Sequence, residues 1–409
     1  MSNAAAKSEG QPSHDSSRLK IATPEAATEN VPVFKPLIQD AEIAAAVESL
    51  EMGWLGMGKY VGEFETALQS AIGAEDKYVV ALSTGHAALH LAFLLAGVGP
   101  GDEVITPSFN NIADFQAILA TGAAPVFCDI DPDTLCIDLN QVESLITDKT
   151  KAIVAMDYDC ILCDHDRVQE LASKHGLRVI HDAAHSIGSN YKGQPVGSFS
   201  DICMFSFDPV KTITSIDGGA LVVNTVEERD ALHEMRLIGM GQPSEVMYQN
   251  QRAWTYGVSR LGFRYHMANL HAAIGVRQLE KLDAIRDSRV ATCKAYNKAF
   301  ADLAGLRTPK SDFEDVCPFL YYVQVNADVR DAFREKLTDC GVDTGIHWQP
   351  GHWFELFSAC RRGDLSVTEQ VGKSILSLPL HSMMNQSDVD RVIAAVREFF
   401  ESPAGEATA

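Results

Sequence analysis

The chain is predicted to be an α/β protein built on a mainly parallel sheet covered on both faces. Three observations predict this. Its apolar runs are short and do not alternate, as in Val79-Val80-Ala81-Leu82 and Ala152-Ile153-Val154-Ala155-Met156, the pattern of strands buried on both faces. Amphipathic helical stretches separate these runs, leaving room for crossover connections. With 409 residues, 46% of them hydrophobic and 22% charged, the chain can bury a large core and carries a soluble globular composition.

The elements follow in order. Helical periodicity starts near Ile38, with Ile43, Val47 and Leu50 at three- and four-residue steps. Gly53, Gly56 and Gly58 then make a loop around Trp54, and a second helix carries Phe64, Leu68 and Ile72. The strand Val79–Leu82 runs through Ser83-Thr84-Gly85-His86 into an apolar helix from Ala87 to Ala96. Strands at 103–106, 125–129, 152–156 and 178–180 alternate with helices at 112–119, 142–146 and 167–175. Two more strands, 204–207 and 219–223, close this region before a long helix from about 268 to 289. A strand at 321–325, a helix at 329–340 and a terminal helix at 387–400 capped by Ser387 form a smaller α+β region. The division expected is a disordered arm over 1–30, a large domain over 31–289, a small domain over 290–402 and a disordered tail over 403–409.

Composition excludes several functions. A formal charge of −21 without a basic patch argues against nucleic acid, whose phosphates would be repelled. No run of about 18 apolar residues exists to span a membrane, and the first 30 residues lack the apolar core of a signal peptide. The nine cysteines are scattered, which suits a reducing cytoplasm. Cys160-Ile161-Leu162-Cys163 has C-x-x-C spacing, but no second pair completes a zinc site; packed thiols are favoured over a redox pair, and no metal is expected.

The chemistry gathers around Lys211, in Ser206-Phe207-Asp208-Pro209-Val210-Lys211, and Asp182, which ends Arg178-Val179-Ile180-His181-Asp182. An isolated lysine is ordinarily solvated surface, and an aspartate after a strand is ordinarily a helix cap. Together they meet the needs of pyridoxal phosphate: an amine for a Schiff base, and a carboxylate to keep the pyridine nitrogen protonated. The turn Thr84-Gly85-His86 joins a strand to a helix N-terminus, where free N–H groups favour a phosphate, and Ser206 is placed for a second contact. His185 stands one helical turn past Asp182, near the ring edge or on the helix surface. The ε-amine of Lys211, once freed, is tethered where a proton carrier is needed.

With those residues, the chain resembles the DegT/DnrJ/StrS family of nucleotide-sugar aminotransferases from about Val31 to Phe400. The resemblance rests on Gly99-Pro100-Gly101-Asp102-Glu103-Val104-Ile105, Pro125-Val126-Phe127-Cys128-Asp129-Ile130-Asp131-Pro132-Asp133-Thr134, Asp182-Ala183-Ala184-His185, Ser206 to Lys211, and Leu270 to Gly275. It implies the aspartate-aminotransferase (fold type I) architecture, pyridoxal 5'-phosphate, L-glutamate as amino donor, a keto-sugar acceptor and a homodimer with shared active sites. By residue it implies Lys211 as the Schiff-base lysine, Asp182 at the pyridine nitrogen, His185 near the ring hydroxyl, and Ser206 with the Gly85 turn at the phosphate. His347 and His352 correspond to a stretch lining the sugar site, with packed loop histidines as the alternative, and Trp54 either covers the pocket or belongs to the core.

Some positions depart from the family. His86 replaces a threonine, Asn111 replaces the aromatic that stacks on the ring, and Arg264 replaces an asparagine that the partner subunit offers to the phosphate. Asp157-Tyr158-Asp159-Cys160 replaces His-x-x-Gly beside the sugar pocket. Competing readings are a sugar dehydratase, disfavoured because such relatives carry histidine where Lys211 stands, an aminotransferase for a cyclitol ketone, and a non-catalytic cofactor-binding regulator.

Overall fold

A computed structural model describes residues 30–402. The arm expected over 1–30, apart from Asn30, and the tail over 403–409 lie outside the described residues. Helices α1 (Asp40–Glu51) and α2 (Lys59–Ala71) lead to β1 (Tyr78–Leu82). Helices and strands then alternate through α3 (Gly85–Leu95), β2 (Glu103–Pro107), α4 (Ile112–Ala120), β3 (Ala124–Cys128), α5 (Leu139–Leu145), β4 (Thr150–Met156), α6 (His165–His175) and β5 (Arg178–Asp182). A hairpin, β6 (Asn190–Tyr191) with β7 (Gln194–Pro195), precedes β8 (Ile202–Ser206) and β9 (Gly219–Val223). After these come α7 (Val226–Met235), α8 (Ser244–Tyr248), α9 (Asn269–Leu279), α10 (Leu282–Phe300), β10 (Tyr321–Gln324), α11 (Arg330–Asp339), α12 (Ser366–Ser374), β11 (Ile375–Leu378) and α13 (Gln386–Phe400).

Seven strands form one sheet in the order β1-β9-β8-β5-β4-β2-β3. Because β9 is antiparallel to both β1 and β8, and the remaining neighbours pair parallel, β9 alone runs against the others. The six parallel strands therefore end on one edge. Side chains divide between the two faces with period two. Val79, Ala81, Cys203, Phe205, Ala220 and Val222 pack against α2 and α9, while Val80, Leu82, Met204, Leu221 and Val223 pack against α3 and α7. This double covering is why the strands read as apolar runs without alternation.

A buried ion pair fastens the first face. Arg236 Nη1 donates to Glu65 Oε1 at 2.6 Å and to the Ala81 carbonyl at 2.8 Å, and the Ala81 N–H donates to the same carboxylate oxygen at 2.8 Å. One guanidinium thus ties α2, β1 and the end of α7 together.

The C-terminal core joins α10, α11 and α13 to the antiparallel pair β10–β11. Val31 belongs to this core and bridges to Val342, so the chain at 31–34 lies against the C-terminal region. The helix expected over 268–289 is two helices, turning at Glu280-Lys281, where Lys281 and Gln278 both reach Glu42 of α1. The second spans both cores: Leu282 and Ile285 enter the first, and Cys293, Tyr296 and Phe300 the other. The cap of α13 is Asn385, not Ser387; its side chain accepts from the Asp388 N–H while Asp388 accepts from Asn385 N–H, a reciprocal box that a lone serine does not supply. Cys160 Sγ donates to the Leu320 carbonyl at 2.8 Å, and Cys163 packs beside Cys136, so both thiols are buried and separately engaged. No described helix is long and apolar enough to cross a membrane.

Candidate active site

The carboxyl ends of β1, β4, β5 and β8, with the loop after β2, open on one cleft of about 700 Å³, a volume suited to a cofactor with its substrate. Parallel strands that end together put their following turns side by side, which is how residues far apart in sequence meet here. Thr84, Gly85, His86, Asn111, Asp182, His185, Ser206, Lys211 and His347 all line it.

At one end Thr84 caps α3, accepting from the Ala87 N–H at 2.9 Å. The turn lies against β8 so closely that a Cβ on residue 85 would stand 2.8 Å from Ser206 Oγ. Glycine is therefore required there, and the N–H groups of the first helical turn sit beside the Ser206 hydroxyl, a donor set suited to a phosphate. Asn111 caps α4 through its side chain, accepting from the Ala113 N–H at 2.9 Å, so its amide is held beside the cleft as a polar group.

Asp182 is buried at the end of β5, and Asp182 Oδ1 accepts from the Ala184 N–H at 3.0 Å. Burial pushes its carboxyl up, while the Ala184 N–H, Asp114 and the charge of Lys211 pull it back. Asp114, fully buried on α4, is pushed well above the usual carboxylate range by burial and by the neighbouring Asp182 charge. Its Oδ2 accepts from Asn110 at 2.9 Å and its Oδ1 has no other donor. Both carboxyls are raised, Asp114 further than Asp182, so Asp114 is the member of the pair that more readily holds a proton.

Lys211 is half-buried, its Nζ 4.4 Å from the centre of the Phe319 ring. Burial lowers its pKa, against the pull of Asp182, Asp208, Asp159 and Asp114, so its free amine is more accessible than that of a surface lysine. His185 lies between Phe319 and Trp348, with ring centres at 4.3 and 5.8 Å. His347 Nδ1 meets Ser377 Oγ at 2.9 Å, and burial with Lys211 lowers its pKa to about 4.

Three further residues singled out in the sequence do not line this cleft. His352 is buried outside the cleft, with Nδ1 on Ser108 Oγ at 2.8 Å and Nε2 on Glu369 at 3.4 Å, so its packed-loop reading describes its place. Trp54 is half-buried, donates to the Met57 carbonyl at 2.8 Å and carries Arg252 above its ring, away from this chain's cleft. Arg264 is exposed and does not line the cleft of its own chain. Asp157, read from sequence as beside the sugar pocket, turns away from it. Its oxygens accept from His165, His181, Ser186 and the Cys163 N–H at 2.6–2.9 Å. Asp157, His165 and His181 are buried groups able to ligate a metal, but each imidazole already donates to its own carboxylate oxygen, and the group is closed by its own hydrogen bonds. Sequence reasoning missed Asp114, Phe319 and Trp348; the signal for Asp114 was an acid inside the apolar run of α4.

The comparisons agree with this geometry. A family model described as the DegT/DnrJ/EryC1/StrS aminotransferase family matches residues 36–397. The chain belongs to that family. This DegT/DnrJ/EryC1/StrS aminotransferase is 35% identical over 377 residues to the spore coat polysaccharide biosynthesis protein SpsC of Bacillus subtilis, covering 90% of this chain and 96% of SpsC. The aminotransferase TlmJ of Streptoalloteichus hindustanus superposes with a TM-score of 0.84 at 32% identity, over 91% of this chain and 99% of TlmJ. The sugar aminotransferase CalS13 of Micromonospora echinospora gives 0.82 at 25% identity, over 90% and 99%. The enzyme is thus a fold type I aminotransferase, of the class dependent on pyridoxal phosphate, and it takes an amino-acid donor.

Proposed function

We propose that this aminotransferase carries the amino group of L-glutamate to the keto group of a nucleotide-linked sugar, in amino-sugar biosynthesis in the cytoplasm. The observation that carries the reading is the meeting of Lys211, Asp182 and the Thr84–Gly85–Ser206 cradle in one cleft. The likeness to SpsC and CalS13 supports a sugar as acceptor.

Pyridoxal phosphate, when bound, supplies a ring that withdraws electrons from the carbon bearing the amine. The cradle would hold its phosphate, and Asp182, with the more strongly raised Asp114 beside it, would face its ring nitrogen. Lys211 anchors it through Nζ. A Lys211 Nζ not engaged in that anchoring would be the group placed to hold or pass a proton beside the substrate carbon, and its burial-lowered pKa suits that role. His347 lines the cleft and is a candidate contact for the sugar. The division into a cofactor domain over 31–289 and a small domain over 290–402 belongs to this proposal, the cleft lying between β-strand ends and Phe319, His347 and Trp348.

A homodimer completes the site. Trp254, Tyr256, Val258 and Leu261 are exposed at 89%, 51%, 65% and 76%, on the segment that ends at Arg264. So much apolar surface in one segment suits a subunit contact, and such a contact would bring Arg264 to the partner's phosphate cradle. Sedimentation at twice the chain mass, with Arg264→Ala loosening cofactor retention, is the expected result; a monomer retaining cofactor fully would refute the sharing.

The decisive experiment is the visible spectrum of cofactor-loaded protein before and after L-glutamate. The wild type is expected to show a visible band that glutamate bleaches, and Lys211→Ala to fold but lack it. A band indifferent to glutamate would point to another donor or to the dehydratase and regulatory readings. Full turnover by Lys211→Ala would refute the role of the lysine.

A further inference from the structure

Among the described residues, Asp159 is a buried acid with both carboxyl oxygens lacking a hydrogen-bond partner. It lies in the tight reversal Tyr158–Ile161, whose ends exchange backbone hydrogen bonds at 3.0 and 2.9 Å, and it adopts a left-handed φ of 51° there. Aspartate is one of the few residues that tolerate that region. Its side chain is fully buried, yet neither carboxyl oxygen has a well-formed hydrogen bond. Its carboxyl lies close to His185, with Oδ1 3.1 Å from Nδ1. An unpaired buried acid is costly, and a site that keeps one calls for an explanation.

We propose that Asp159 is a positioning residue that fixes the tautomer of His185, so that Nε2 presents an N–H to the ring hydroxyl of the cofactor. This rests on the cofactor reading above, and no role follows for Asp159 from the family resemblance. The ring of His185 is already fixed in plane between Phe319 and Trp348. What stacking cannot fix is which nitrogen carries the hydrogen. Nδ1 faces Asp159, leaving Nε2 as the nitrogen on the cleft side.

The charges around the pair decide the proton count. Asp159 faces His185, Tyr158 and Lys211, and burial pushes its carboxyl well up despite Lys211 and Tyr158. His185 faces Lys211, His347 and, farther off, Asp157; burial, Lys211 and His347 all hold it neutral. With Asp159 protonated and facing Nδ1 at 3.1 Å, the single imidazole hydrogen is left on Nε2. With Asp159 ionised, Nδ1 would carry the hydrogen and Nε2 would present a bare lone pair.

The test is a spectrophotometric pH titration of the cofactor-loaded protein, run as a double-mutant cycle with His185. Asp159→Ala, checked for wild-type cofactor content, is expected to move the midpoint of the visible band change by about one pH unit, tenfold in proton affinity. Asp159→Asn, whose amide can face Nδ1 with an N–H as the protonated acid does with its O–H, is expected to stay within about 0.3 unit of wild type. In a His185→Gln background, Asp159→Ala is expected to have no further effect. Equal shifts in both backgrounds would overturn the proposal, since Asp159 would then act on Lys211 directly; so would an unmoved midpoint, or a shift in Asp159→Asn as large as in Asp159→Ala. Nitrogen NMR of the imidazole rings in the cofactor-free protein reads the tautomer independently, with Nε2–H expected in the wild type and a mixture in Asp159→Ala. Absence of any visible band in the wild type would sink the cofactor reading, while the ring spectrum would still decide the tautomer.

Discussion

Asp157 and Asp159 stand two residues apart just after β4, both buried, in opposite surroundings. The pocket behind the sheet edge gives Asp157 four donors: two imidazoles, a hydroxyl and a backbone N–H. Burial would raise its carboxyl, but the imidazoles of His165 and His181 outweigh that and hold it well below the usual range. The cleft side gives Asp159 one imidazole with poor alignment, and there burial wins. The same residue type is an anion in one pocket and an acid in the other. Depth alone does not set the charge of a buried carboxyl; the number of donors aimed at it does.

Substituting asparagine at both positions would sharpen that contrast most. Asp157→Asn exchanges the carboxylate for an amide whose N–H₂ meets donors, leaving His165, His181 or Ser186 unpaired, and a loss of about 3–5 kcal/mol is expected. Asp159→Asn fits the left-handed position and, near pH 4 where the acid is protonated in both states, changes stability by less than about 1 kcal/mol. Urea unfolding of both variants measures the difference. Similar losses at the two sites would mean that Asp159 is ionised and paired after all.

A smaller effect follows from pH. The folded value of Asp157 lies below its unfolded value, so its contribution is present above about pH 4 and fades as pH falls further. Asp159 is the reverse. Its folded value lies above the unfolded one, so its contribution is full below about pH 4 and is lost as pH rises toward the folded value. Each such group tilts stability by up to about 1.4 kcal/mol per pH unit. Asp159→Asn is therefore expected to flatten the decline of the unfolding midpoint above pH 4 relative to wild type. Parallel wild-type and variant curves would contradict the assignment.

The two pockets were not equally legible. The parallel sheet, the Gly85 turn, Asp182, Ser206 and Lys211 could be read because each depends on local order: a strand, then a turn, then a helix or loop carrying the group. Asp157 and Asp159 were visible as departures from a motif, but alternation along three residues does not say which side of the strand edge each will face. His165 and His181, which decide the charge of Asp157, come from α6 and β5, and only the sheet order brings them together. For His352 the pocket and packed-loop readings could not be separated for the same reason: its partner Ser108 lies 244 residues away in sequence. The turn between α9 and α10 depends on Glu42, more than two hundred residues earlier.

Asp114 offers the finest test, because it resembles Asp159 in being protonated and Asp157 in serving a neighbour. A proton on Asp114 would be offered to Asp182, which also accepts from the Ala184 N–H. An amide at position 114 would donate in the same way, so Asp114→Asn is expected to alter stability and cofactor retention little, by less than about 0.5 kcal/mol. Asp114→Ala removes that donor, leaves the Asn110 amide without its acceptor and opens a gap, at a cost of about 1–3 kcal/mol. Weaker cofactor retention should accompany it, because Asp182 loses the neighbour that more readily holds a proton. Thermal unfolding and dialysis of the loaded protein distinguish the two substitutions. If asparagine cost as much as alanine, the proton would have to sit on Asp182, and the carboxyl facing the ring nitrogen would be the neutral one.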